Sequence, residues 1–129
     1  MKQILILIFF LSCLIVYSQE NEKADDNLFW YEATCESGTE KAQTDYKNGN
    51  YNIFITGFTI SFDSEKEFYK FYDNYMLEKY NIKFVKKGCV VTRAIKCYKE
   101  TMQKLVLEKY GSDVFEKSRK EAKMEFEKK

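Results

Sequence analysis

From Ser64 the sequence SEKEFYKFYDNYMLEKYN sets Phe68, Phe71, Tyr72 and Tyr75 at i, i+3, i+4 and i+7. That spacing puts one aromatic stripe on an amphipathic helix. Ser64 with Glu67 forms a capping box at its start, and Asn81 offers a left-handed stop. A second helix reads TRAIKCYKETMQKLVLEKYG, with Ile95, Tyr98, Met102, Leu105 and Val106 on one face, Thr92 as cap and Gly111 as stop. Between and before these lie two runs with strand character. Tyr51 to Ile60 (YNIFITGFTI) is β-branched and aromatic, Ile53 and Ile55 facing one way and Phe54, Phe58 and Ile60 the other. A strand apolar on both faces wants cover on both, as in an α/β layer. Ile82 to Val91 (IKFVKKGCVV) reads as the second strand, bent at Gly88.

Strand, helix and strand then form a right-handed β-α-β unit with the strands parallel. The flanks are helical. Leu28, Tyr31, Cys35, Gly38, Ala42 and Tyr46 fall on one face ahead of Gly49, with a capping box at Ser37 and Glu40 where the helix can break. Gly38 is the weak point of this segment, costing up to ~1 kcal/mol in a helix interior. After Gly111, Phe115, Ala122 and Phe126 share a side, and the pairs Glu116/Lys120, Lys117/Glu121 and Lys123/Glu127 line a solvated face. The fold expected is helix-rich α/β (or α+β), in the order α-β-α-β-α-α, around a small two-stranded, parallel sheet.

The N-terminus sets the compartment, and with it the chemistry open to the cysteines. Lys2 precedes the apolar run Ile4 to Ser18, shorter than a membrane span of ~20 residues and followed by the polar QENEKADDN. We read residues 1–18 as a cleaved export signal and 19–129 as a single small domain, periplasmic or secreted. Cys13, preceded by Phe10-Leu11-Ser12, offers the alternative of a lipoprotein anchor. Against that, the run stays apolar through Leu14, Ile15 and Val16. Loss of Lys2 with the leader leaves 20 basic against 20 acidic side chains. Such a balance argues against a nucleic-acid partner. Proline is absent, and no linker divides the chain.

Export would leave Cys35, Cys89 and Cys97 in an oxidising compartment, where neighbouring thiols form disulfides. With no histidine and no C-x-x-C, neither a zinc site nor a thioredoxin-type redox pair can be written. At ~100° per residue, Cys97 lies about 160° round its helix from Ile95, off the apolar face. Cys89 sits in the chain that feeds that helix. The expected disulfide is Cys89–Cys97, closing a short loop, with Cys35 an unpaired core thiol; a bridge from Cys35 to either partner is the alternative.

No residue is assigned as catalytic, cofactor-binding or metal-ligating. Histidine, the commonest general base, is missing, and no G-x-S-x-G, phosphate loop or dinucleotide fingerprint occurs. Asp63 and Glu65 come after the first strand where α/β folds place ligands, but acidic residues also suit a helix start. Phe29-Trp30-Tyr31 could stack on a sugar, although a helix burying Tyr31 accounts for it more simply. The lysine-led leader ending in Ser-Gln, with GCVV, KCY and EKYG, resembles small exported proteins of flavobacterial type. These motifs are structural, so the resemblance implies export and no activity. Two function classes stay open: a non-enzymatic exported domain that binds a protein partner or serves as an envelope accessory factor, and a small enzyme using carboxylates or the Cys35 thiol.

Overall fold

The computed structural model describes residues 26–57 and 63–128. Among these residues five helices and two strands run in the order α1 (Asp26–Glu32), α2 (Cys35–Lys47), β1 (Tyr51–Thr56), α3 (Asp63–Tyr80), β2 (Ile82–Gly88), α4 (Arg93–Tyr110) and α5 (Val114–Phe126). The strands form one parallel sheet. The helix-rich α/β class and the α-β-α-β-α-α order expected from the sequence are both present. The leader, Cys13, and the stretch Phe58 to Ile60 assigned to the first strand lie outside the described residues, as does the side chain of Ser64.

Tyr51 pairs with Ile82 and the register runs evenly to Ile55 opposite Lys86; Thr56 then pairs with Gly88, so Lys87 is an extra residue bulged from β2. A bulge re-aims the side chain it carries. The second strand ends sooner than the apolar run that encodes it. Gly88, at φ 70°, takes a left-handed turn that a β-branched residue would resist, and this ends β2 before Cys89. Asn81 is left-handed as expected, with φ 54°, and its side-chain amide donates to the Gly49 carbonyl at 2.8 Å. That bond ties the end of α3 to the turn that enters β1.

The two faces of the sheet carry different cores. On one, Phe54 stacks on Tyr98 of α4 at 4.2 Å between centroids, and Trp30 of α1 meets both rings edge-on at 5.2 and 5.3 Å. The buried Tyr98 hydroxyl donates to Asp45 of α2 at 2.8 Å. On the other face, Phe84 packs against Tyr72 of α3 and Phe115 of α5. Ile53 and Phe54 are both buried, which is why β1 has no polar alternation.

Helix faces match the sequence pattern with two shifts. In α3 the deepest residues are Met76, Tyr75 and Tyr72, while Phe68 and Phe71 pack at the edge against Phe126. In α5 the buried line is Val114, Ser118 and Ala122, with Phe115 and Phe126 flanking it. Ser118 escapes notice in a hydrophobic scan because it is polar. Its hydroxyl is satisfied by Tyr72 Oη at 2.9 Å and the Phe115 carbonyl at 3.2 Å. Glu116 and Lys120 pair as spaced, at 2.7 Å, whereas Glu121 bonds Lys79 of α3 at 2.7 Å.

Gly38 does not break its helix. The break falls at Ala33 and Thr34, where Thr34 caps α2 by accepting the Ser37 N–H at 3.2 Å. Gly38 is buried within α2, and a Cβ there would lie 2.3 Å from the Ala94 carbonyl oxygen. The absent side chain is what lets α2 and α4 approach backbone to backbone.

Candidate binding surface at the carboxyl ends of the strands

That close approach decides the disulfide. Cys35, Gly38 and Ala42 line one face of α2, and the structure joins Cys35 to Cys97 with 5.3 Å between their Cα atoms. The expected Cys89–Cys97 bridge is therefore corrected. Among the described residues Cys89 is the free cysteine, and it is exposed. Turning away from Ile95 does not send Cys97 back toward the loop, because α4 is covered on two sides: the sheet takes Tyr98, and α2 takes the adjoining arc of Ala94 and Cys97. The bridge also removes the Cys35 thiol from any nucleophilic role in the oxidised protein.

The corner where β2 hands over to α4 lies at the carboxyl end of the sheet, the edge at which open α/β sheets gather ligands. After Gly88 the chain runs irregularly through Cys89, Val90 and Val91 until Thr92 caps α4, its hydroxyl accepting the Ile95 N–H at 3.3 Å. Val90 and Val91 are about half exposed, at 53% and 51%. From the other end of the chain α1 brings Tyr31, exposed by 63%, to the same region, where it lines a pocket with Val90. Of the Phe-Trp-Tyr triplet it is thus Trp30, 3% exposed, that is buried, and Tyr31 that stands out. The face assigned from sequence carried Tyr31 straight through to Cys35. The interruption at Ala33 and Thr34 resets the helix phase between them.

A pocket of about 50 Å³ opens here, lined by Trp30, Tyr31, Lys87, Val90, Thr92 and Ile95. Lys87, aimed inward by the bulge, holds its ammonium 4.9 Å from the ring centres of both Trp30 and Phe54. Cation–π geometry of this kind keeps a charge close to an apolar wall. Trp30 Nε1 is buried and finds no hydrogen-bond partner among the described residues. An orphaned buried donor costs about 1–3 kcal/mol, so such groups are uncommon in native folds. The sequence offered no cue to this pocket beyond the aromatic triplet. Lys87, like Val90 and Val91, reads there as a residue of the second strand.

Of the acidic residues considered as catalytic, Glu65 does not line it. Glu65 is exposed in the first turn of α3, and the Asp63 side chain lies outside the described residues. Among the described residues no group of three or more His, Cys, Asp or Glu could hold a metal ion. No helix among them is long and apolar enough to cross a membrane. Comparison of the chain with protein-family models, with curated proteins and with solved structures gave no match.

Proposed function

We propose that this is a small exported domain that acts by binding another protein, and that its contact surface is the carboxyl-end corner formed by Tyr31, Val90 and Val91. The observation that carries this reading is the convergence of exposed apolar side chains from two segments some sixty residues apart on one pocket, with Tyr31 and Val90 both in its wall. Contiguous exposed apolar residues mark interaction sites, and aromatic residues are enriched at their centres. Export is supported by the lysine-led apolar leader and by the Cys35–Cys97 disulfide, a bond favoured outside reducing compartments. The bridge fastens α2 to the start of α4, immediately behind the surface, and so keeps it rigid for recognition.

Site-specific photo-crosslinking in the producing cells tests both halves. A photoreactive residue at Val91 is expected to give one discrete protein adduct in the envelope or medium fraction, while the same group at Lys104, exposed on α4, gives none. Equal labelling from the two positions, or recovery of the protein only in the cytosol, would overturn the reading.

A further inference from the structure

Basic and acidic side chains nearly balance over the whole chain, but not around this corner. From Asn81 to Lys99 the sequence carries six basic residues, Lys83, Lys86, Lys87, Arg93, Lys96 and Lys99, and no acidic one. That stretch is β2, the corner itself and the first two turns of α4. Arg93 comes one residue after the exposed Val90 and Val91, Lys96 a helical turn further on, and both are exposed. Lys99 reaches back to the end of β1, its ammonium donating to Thr56 Oγ1 at 3.4 Å. Lys87 is turned onto Trp30 and Phe54, and Lys86 is opposed by Asp73 of α3, so neither is counted on here. Glu100 stands 3.9 Å from Lys96, but an exposed pair at that distance contributes little. Glu32 and Glu36 are the exposed carboxylates of α1 and the start of α2. Arg93 and Lys96 also break a local rule, because a helix favours anions over its first turn and cations over its last. α2 and α5 comply with Glu36 and Glu116, whereas α4 has no acidic residue in its first turn and opens with Arg93. Charge set against a helix dipole gains nothing for the isolated fold, and departures of this kind gather at functional sites.

We infer that the partner meets this corner with an acidic protein face: an apolar centre lying over Tyr31, Val90 and Val91, and Asp or Glu side chains set against Arg93 and Lys96. The inference rests on reading the corner as a protein-binding surface, and it adds the charge that partner must present. Interfaces join an apolar centre to a polar rim, and complementary charge on the rim steers the approach and fixes the register. A protein is favoured over an anionic bilayer because Tyr31 and Val90 wall a pocket of about 50 Å³. Such a concavity takes the tip of one protruding side chain, and a bilayer surface would leave it unfilled.

The test keeps the photoreactive residue at Val91, in the producing cells, and varies the charges beside it. Arg93→Glu with Lys96→Glu should slow the initial rate of adduct formation about tenfold or more, by setting like charges against each other. Arg93→Lys, which keeps the charge, should leave the rate near that of the wild type. So should Lys104→Glu with Lys123→Glu, the same reversal made at exposed positions away from the corner. Acidic residues suit the start of α4, so the reversed corner should melt no lower than the wild type, and its loss of adduct then reports contact and not unfolding. Peptide mapping of the adduct should place the partner's crosslinked segment among Asp and Glu residues. A rate unmoved by the corner reversal, or slowed as much by the distant one, would overturn the acidic face and leave the surface standing. Absence of any adduct at Val91 would remove the surface and the acidic face with it. The protein recovered from cells is also floated with vesicles of phosphatidylcholine, with and without phosphatidylglycerol. Co-flotation with the anionic vesicles alone, abolished by the corner reversal, would overturn the protein face in favour of a membrane.

Discussion

Replacing both Cys35 and Cys97 by serine opens a loop that spans 62 positions of the chain. On the chain-entropy argument, cross-linking at that separation limits the unfolded ensemble by about 4 kcal/mol, against about 2.5 kcal/mol for the loop a Cys89–Cys97 bridge would close. A domain of this size has only about 5–15 kcal/mol of net stability, so about a quarter or more of its margin is at stake. The expected drop in Tm is about 15 °C or more. Cys89→Ser is the internal control: the thiol is exposed, and its loss should stay within about 0.5 kcal/mol. Thermal unfolding monitored by far-ultraviolet circular dichroism, run on all variants with and without reductant, makes the comparison. Reduction should lower the Tm of the wild type and of Cys89→Ser alike, and leave the double serine variant unmoved. Peptide mapping without reductant should recover Cys35 joined to Cys97. A Cys89→Ser variant as unstable as the double mutant would refute the argument, because it would place the covalent constraint in the short loop.

Gly38→Ala inverts the usual rule: helix propensity alone would gain up to ~1 kcal/mol, but the new Cβ meets the Ala94 carbonyl, so we expect a net loss of about 1–3 kcal/mol in urea denaturation, and a stabilised variant would refute the close packing of α2 on α4. Tyr98→Phe removes the donor to Asp45 and should cost about 1–2 kcal/mol by the same assay, whereas Lys120→Ala breaks only an exposed pair and should leave the urea midpoint at its wild-type value; equal effects would mean the buried bond is worth no more than the surface one. The Lys79 ammonium and the Tyr75 hydroxyl hold the Glu121 carboxyl below its ordinary 4.5, so that contribution is present above this value and is lost as pH falls through the lower folded one. Lys79 is raised by the Glu121 and Tyr75 contacts and Tyr75 chiefly by burial, so their shares are intact below 10.5 and 10.0 and are lost as pH climbs through the raised folded values. Glu121→Gln should therefore flatten the acid limb of a plot of urea midpoint against pH, and a profile parallel to the wild type would show that the α3–α5 clamp does not contribute.

The elements themselves were legible because each depends on neighbours along the chain. Thr92 and Gly111 bound α4, Asn81 turns left-handed where α3 stops, and the doubly apolar β1 announces helices on both sides. Local capping and periodicity act within about one helical turn, so a sequence carries them in full. Partner choice among the cysteines was not local in this sense. Whether Cys97 meets Cys89 or Cys35 depends on how near α2 comes to α4, and that distance is fixed by a hydrogen atom at Gly38 facing the Ala94 carbonyl across the interface. The sequence shows the glycine and its helical penalty; only the packed structure shows the neighbour that makes it necessary. Trp30 and Tyr31 exchanged places for a related reason, since the break at Ala33 and Thr34 turns α1 out of phase with α2. The pocket depends on all of this together: a bulge that aims Lys87, a turn at Gly88 that exposes Val90, and a helix from the far end of the chain that delivers Trp30 and Tyr31. Each piece is encoded locally, but their convergence exists only once the sheet has paired, because it joins segments whose separation along the chain exceeds the reach of any local interaction.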